Sequence, residues 1–309
     1  MRLSLADSLV HIGDQVRGQI PFDDASLAAM AARMRAGARY PASTFGIYSE
    51  LVLALVEGDD AGLAQAKLEE LLREVPLAGR WRVLPLDASA HVRHLALYAR
   101  QLDSDPNISF LIAPPSPDLA SAYGERLLRS FALMERAVPG LAAEFDALVS
   151  DVILVVGDPK AKYQFDGGSG YMLWGGLFLN ATSHPDEVTM VEVMAHESAH
   201  LLLYACAADE ALVENEDDEL YRSPLRVDER PMDGIFHATF VSARMHWAMS
   251  HLLESGQLDD EAQRRAEAAR KSDAVNFWSG HGVVAEHGRL TPTGASVMRA
   301  AASYMASVR

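Results

Sequence analysis

The residues best suited to chemistry lie in one short run, VEVMAHESAHLLLYA over residues 191–205, where His196, Glu197 and His200 interrupt an apolar stretch in the spacing H-E-x-x-H. At about 100° per residue, His196 and His200 stand about 40° apart on a helix, one turn above the other, so both imidazoles reach a single ion. Glu197 is turned about 100° from His196, which sets its carboxylate beside that ion rather than in line with the two ligands. Without a partner, three such groups inside an apolar helix cost several kcal/mol, and a divalent cation offsets that cost. The pentapeptide serves two chemistries. In one, a glutamate polarises a zinc-bound water for hydrolysis; the other is metal chemistry of a different kind.

Two imidazoles leave a tight site incomplete, so a third ligand is expected nearby. A second helix is predicted after DERPMDG, with Asp233 as N-cap and Gly256 as its stop, and it carries His237 near its start. If the two helices pack antiparallel, His200 and His237 fall at similar height, which makes His237 the expected third ligand. Asp228 and Glu229 are its rivals from the preceding loop. Arg244 follows His237 by nearly two full helical turns and so shares its stripe, pointing a guanidinium toward the same cavity. His246 and His251 fall on other faces and read as surface or core histidines.

These side chains need elements to hold them. Ser183, Pro185 and Asp186 mark the start of the motif helix, which runs to Cys206 with nearly every other position apolar. Upstream, DASLAAMAARMRAGA and the stretch from Ser43 to Pro76, broken around Gly58, read as helices, followed by a strand RWRVLPL. A turn signal, DSDPN, sets the expected division into a helical N-terminal region, 1–103, and a metal-binding region, 104–309. A short strand near Ser109 to Ala113, a helix from about Asp118 to Val138, a central strand DVILVVGD and a strand YMLWGGLFLN are expected next. Gly175 and Gly176 within the last mark a bulge or a close backbone approach, and no phosphate-loop pattern is present. A helix from about Asp259 and a final helical pair close the chain. The fold class is therefore α+β, mostly helical, with a small mixed sheet packed beside an H-E-x-x-H helix in a zincin-like arrangement.

Composition narrows the partners. Lys and Arg number 27 against 43 Asp and Glu, a net charge of −16 that repels nucleic acid and anionic lipid. Seven carboxylates crowd DEALVENEDDEL, residues 209–220, read as a solvated loop. No apolar run suits a membrane span or a secretory signal, so a cytoplasmic protein is expected. Cys206 is the single cysteine, which excludes an internal disulfide and a cysteine-based zinc site.

MAHESAHLLLYA followed by YRSPLRVDERPMDGIFHATFVSARM resembles the HEXXH-motif peptide-modification proteins of pathways that make ribosomally synthesised, post-translationally modified peptides. The likeness is densest over residues 190–250, and the SPLR and GIFHATFV segments are its specific part. The resemblance implies an Fe(II)/2-oxoglutarate-dependent oxygenase that β-hydroxylates a residue of a precursor peptide, with O2 as co-substrate. His196, His200 and His237 are then the metal ligands, an all-histidine set where the usual iron triad holds one carboxylate. Arg244, or else Arg226 in SPLR, is expected to bind the distal carboxylate of 2-oxoglutarate, for which arginine geometry is best. Glu197 would orient a ligand or water, and the edge of YMLWGGLFLN would pair with the extended peptide. The alternative is a zinc-dependent metallopeptidase with Glu197 as general base. Against it, positions 234–255 offer only Glu254 as a glutamate ligand, and no G-x-x-H extension follows His200.

Overall fold

The computed structural model describes residues 1–57, 60–102, 110–161, 164–223 and 229–308. Contacts divide the chain into two compact units, residues 1–120 with 149–183 and residues 121–148 with 184–309. The division expected between residues 103 and 104 lies outside the described residues, as does the break expected at Gly58. Among the described residues, no helix is long and apolar enough to cross a membrane.

The first unit joins five helices, α1 (Arg2–Val16), α2 (Asp24–Arg35), α3 (Ala42–Val56), α4 (Ala61–Leu72) and α5 (Leu95–Leu102), to a four-stranded mixed sheet. Its strands are β1 (Arg82–Pro85), β2 (Asp151–Val155), β3 (Gly167–Gly168) and β4 (Gly176–Asn180), in the order β1-β2-β4-β3. Pairing is parallel from β1 to β2 to β4 and antiparallel between β3 and β4. The run DVILV is buried at every position, as a strand inside a parallel sheet must be. Asp151 at its head accepts the Ala42 backbone N–H at 2.8 Å and pairs with Arg82, which ties α3 and β1 to one buried carboxylate.

The strand expected over YMLWGGLFLN is half as long. Tyr171–Leu173 forms a turn of 3-10 helix, and Gly175 takes a left-handed φ of 92° before β4 begins. A Cβ on Gly176 would meet that of Ala42 at 2.9 Å, so the close approach read from the glycines is real. The free edge expected along this strand is taken at its centre: Phe178 and Leu179 pair with β2 on one side and β3 on the other. The strand expected near Ala113 is a single bridge to Val156, its start lying outside the described residues.

The second unit is built from helices and one hairpin. Its helices are α6 (Pro117–Ala137, which enters this unit at Ser121), α7 (Pro139–Leu148), α8 (Glu187–Cys206), α9 (Met232–Glu254), α10 (Asp260–His287) and α11 (Pro292–Ser307). Strands β5 (Leu220–Arg222) and β6 (Glu229–Pro231) pair antiparallel. Helix α7 was not anticipated; Pro139, at a first helical position that needs no N–H, starts it directly after Val138. The helix expected from about Asp259 and the first of the expected C-terminal pair are one 28-residue helix, α10, followed by α11. Gly280 lies inside α10, where a Cβ would collide with Thr239 of α9; the glycine is a packing device. Phe236, Phe277 and Met298 join Ala199 and Leu203 of α8 in one buried cluster that locks α8, α9, α10 and α11 together. The acidic loop is more anchored than its composition suggests, since Glu219 accepts 2.7 Å and 2.6 Å hydrogen bonds from Tyr221 and Arg289.

Candidate metal centre

Helix α8 starts through a capping box. The Asp186 carboxylate accepts from the Val188 and Thr189 backbone N–H groups, and Thr189 returns its hydroxyl to the Asp186 N–H. The residues just before it are fixed too: His184 sits at a left-handed φ of 53° ahead of Pro185, and its Nδ1 lies 2.7 Å from the buried Tyr123 hydroxyl. From that firm start α8 presents His196, Glu197 and His200 from its midpoint onward, while α9 presents His237 in its second turn. Pro231 caps α9; the expected cap, Asp233, instead lies in the first turn, where its charge suits the helix dipole.

The structure brings all three histidines into one cluster. His196 Nε2 and His200 Nε2 are 3.3 Å apart. Metal–nitrogen bonds of about 2.0–2.1 Å, at angles from right to tetrahedral, separate two ligand nitrogens by about 2.9–3.4 Å. The ring planes are inclined by 62° with centroids 5.0 Å apart, so the two lone pairs converge instead of colliding. This pair fits a shared cation. His237 meets His200 on the other edge of its ring, Nδ1 to Nδ1 at 3.1 Å. Among the described residues, accordingly, no three His, Cys, Asp or Glu side chains close around one point as a ligand set: the imidazole nitrogens meet two by two.

No protein-family model matches the chain, and no curated protein sequence matches it.

Burial sets the charge state of the cluster. His200 is held well below the ordinary histidine range by burial and by the neighbouring His196 and His237. His237, 9 % exposed, is also lowered by burial, with Asp233 acting in the opposite direction. Both imidazoles are therefore neutral near pH 7 and keep lone pairs for a metal or a hydrogen bond. Glu197 is buried, with Oε1 3.9 Å from His196 Nε2, which places its carboxylate beside the converging pair as its position on the helix demanded.

Arg244 is placed elsewhere in the polar inventory. Its guanidinium bonds Glu144 at 2.7 Å and lies 4.7 Å over the Trp247 ring, while its Nε is buried without a hydrogen-bond partner. Binding a carboxylate ligand there would require Glu144 to give way. Arg226 and Asp228 lie outside the described residues, and Glu229 is exposed on β6. His246 is a core histidine bonded to Tyr304 at 2.9 Å, and His251 bonds the Trp247 carbonyl, so neither enters the site.

Two contributors were missed in the sequence. Tyr204 follows His200 by one turn and Glu197 by two, so the helical stripe could have found it; its ring lies 6.3 Å from that of His200 and 5.4 Å from that of His237. Burial, Glu197 and Asp233 push its phenol above the ordinary range. Glu192, one turn before His196, faces the buried Asp273 of α10, a cross-helix meeting that no local spacing reveals.

Proposed function

We propose that the chain is an Fe(II)/2-oxoglutarate-dependent oxygenase that β-hydroxylates a ribosomally made precursor peptide, a member of the HEXXH-motif peptide-modification family it resembles over residues 190–250. The observation that carries the metal part is the inclined His196–His200 pair, whose nitrogens are spaced as two ligands of one cation. The resemblance, not the geometry, carries the choice of iron, 2-oxoglutarate and peptide. When bound, iron would supply the oxidising chemistry that O2 and the keto acid release on it. His196 and His200 would hold it, with His237 beside them and Tyr204 closing the cluster against water. Glu197 would orient a ligand or water with its buried carboxylate. Arg244 is the described arginine for the distal carboxylate of 2-oxoglutarate, on exchange of Glu144 for the cofactor. A zincin-like pairing of the small sheet with the H-E-x-x-H helix, and a cytoplasmic location, belong to this reading.

Glu197 also favours a second reading, a zinc metallopeptidase, because its 3.9 Å distance from His196 Nε2 suits a base acting on a metal-bound water. One assay separates the two. Protein reconstituted anaerobically with Fe(II), then given 2-oxoglutarate and O2, is expected to release succinate, and to add 16 Da to a precursor peptide. Zinc-loaded protein that fragments a peptide pool while the iron form consumes no 2-oxoglutarate would hand the site to the peptidase.

A further inference from the structure

We infer that His237 is the positioning partner that fixes the imidazole of His200, and is not itself a metal ligand. The inference rests on the assignment of His196 and His200 as the metal-holding pair.

The two nitrogen contacts of His200 differ in kind. At Nε2 the rings of His200 and His196 have centroids 5.0 Å apart for a nitrogen separation of 3.3 Å, too close for a straight line, so the two nitrogens are aimed at a point off the line between them. At Nδ1 the rings of His200 and His237 are within 19° of coplanar, with centroids 5.4 Å apart for a nitrogen separation of 3.1 Å. Those values describe two imidazoles meeting edge to edge, each nitrogen aimed at the other. A cation on such a line needs its nitrogens about 4.1 Å apart, two bond lengths, which 3.1 Å does not allow. A hydrogen bond needs about 2.9–3.1 Å, which it does.

One proton then accounts for the cluster. A neutral imidazole carries a single N–H, and with the Nε2 lone pair of His200 directed to the His196 side, that proton sits on Nδ1 and is donated to His237 Nδ1. His237 must then carry its own proton on Nε2, where Asp233 Oδ1 stands 3.7 Å away. Tyr204 covers both rings, and His237 is 9 % exposed, so water does not compete for the bond. A ligating histidine with its second nitrogen tied to an acceptor is held in one tautomer and one orientation.

The test begins in metal-free, ¹⁵N-labelled protein, where long-range ¹H–¹⁵N correlations report the tautomer of each histidine independently of any activity. His200 is expected as the Nδ1–H form and His237 as the Nε2–H form. His237→Gln, whose amide oxygen still accepts, should keep His200 as Nδ1–H, and His237→Phe should let it shift toward a mixture. In zinc-loaded protein, X-ray absorption should count the same number of imidazoles in wild type and His237→Gln, with affinity for zinc largely kept in His237→Gln and lower by about 10–100-fold in His237→Phe. An Nε2–H form of His200 in the wild type, or one imidazole fewer in His237→Gln, would overturn the assignment. Failure to consume 2-oxoglutarate would leave these readouts untouched, so the two failures are distinguishable.

Discussion

Glu197 is the residue on which the two chemistries part. A hydrolase needs its carboxylate as a base, whereas an oxygenase needs only its hydrogen-bonding shape. Glu197→Gln is therefore expected to bind zinc or iron and to retain measurable succinate release; complete loss of turnover with metal content intact would instead mark a base. Asp273 offers a second test at this scale. Only 2 % exposed, with Oδ2 unpartnered, its carboxyl is pushed up to about 8 by burial and then by Glu192. An unfolded aspartate releases its proton near pH 3.9, so from about pH 4 to about pH 8 the folded chain binds a proton that the unfolded chain has lost. Stability must then fall as pH rises through that window and level off above it. Asp273→Asn is expected to flatten the slope and to raise the unfolding free energy at pH 8.5 by more than about 1 kcal/mol in urea titrations. An unchanged slope would show that Asp273 ionises normally.

At the scale of elements, the contact between α9 and α10 seats the helix that carries His237. Gly280 makes it possible, since a Cβ there would strike Thr239, whose hydroxyl is already committed to the Ile235 carbonyl at 2.7 Å. Gly280→Ala is expected to cost about 1–3 kcal/mol by overpacking, and Thr239→Ala in the same chain should recover part of that loss; calorimetry showing no coupling would place the two helices further apart. This joint also shows what was legible in the sequence. Helix α8 could be read residue by residue, because an acidic cap, an apolar run and two histidines at i and i+4 are local signals. The role of Gly280 could not be read locally, because its reason is a residue 41 positions away. The strand before the motif was overextended for a similar cause: Gly175 turns the chain, and only cross-strand pairing shows where β4 begins.

For the whole molecule, the mostly helical chain with a small mixed sheet was readable from periodicity, while the return of residues 149–183 to the N-terminal unit was not, because parallel pairing of β1 with β2 joins segments far apart in sequence. The position of His237 was legible as proximity and not as orientation: helical heights bring it to His200, but which ring edge it faces depends on side-chain packing around Tyr204. The account as a whole depends on a cation shared by His196 and His200, and metal analysis after gel filtration tests that most directly. Wild-type protein loaded with Fe(II) or zinc is expected to retain one equivalent per chain, and His196→Ala and His200→Ala to retain little. A wild type that elutes metal-free, or both variants retaining a full equivalent, would contradict it.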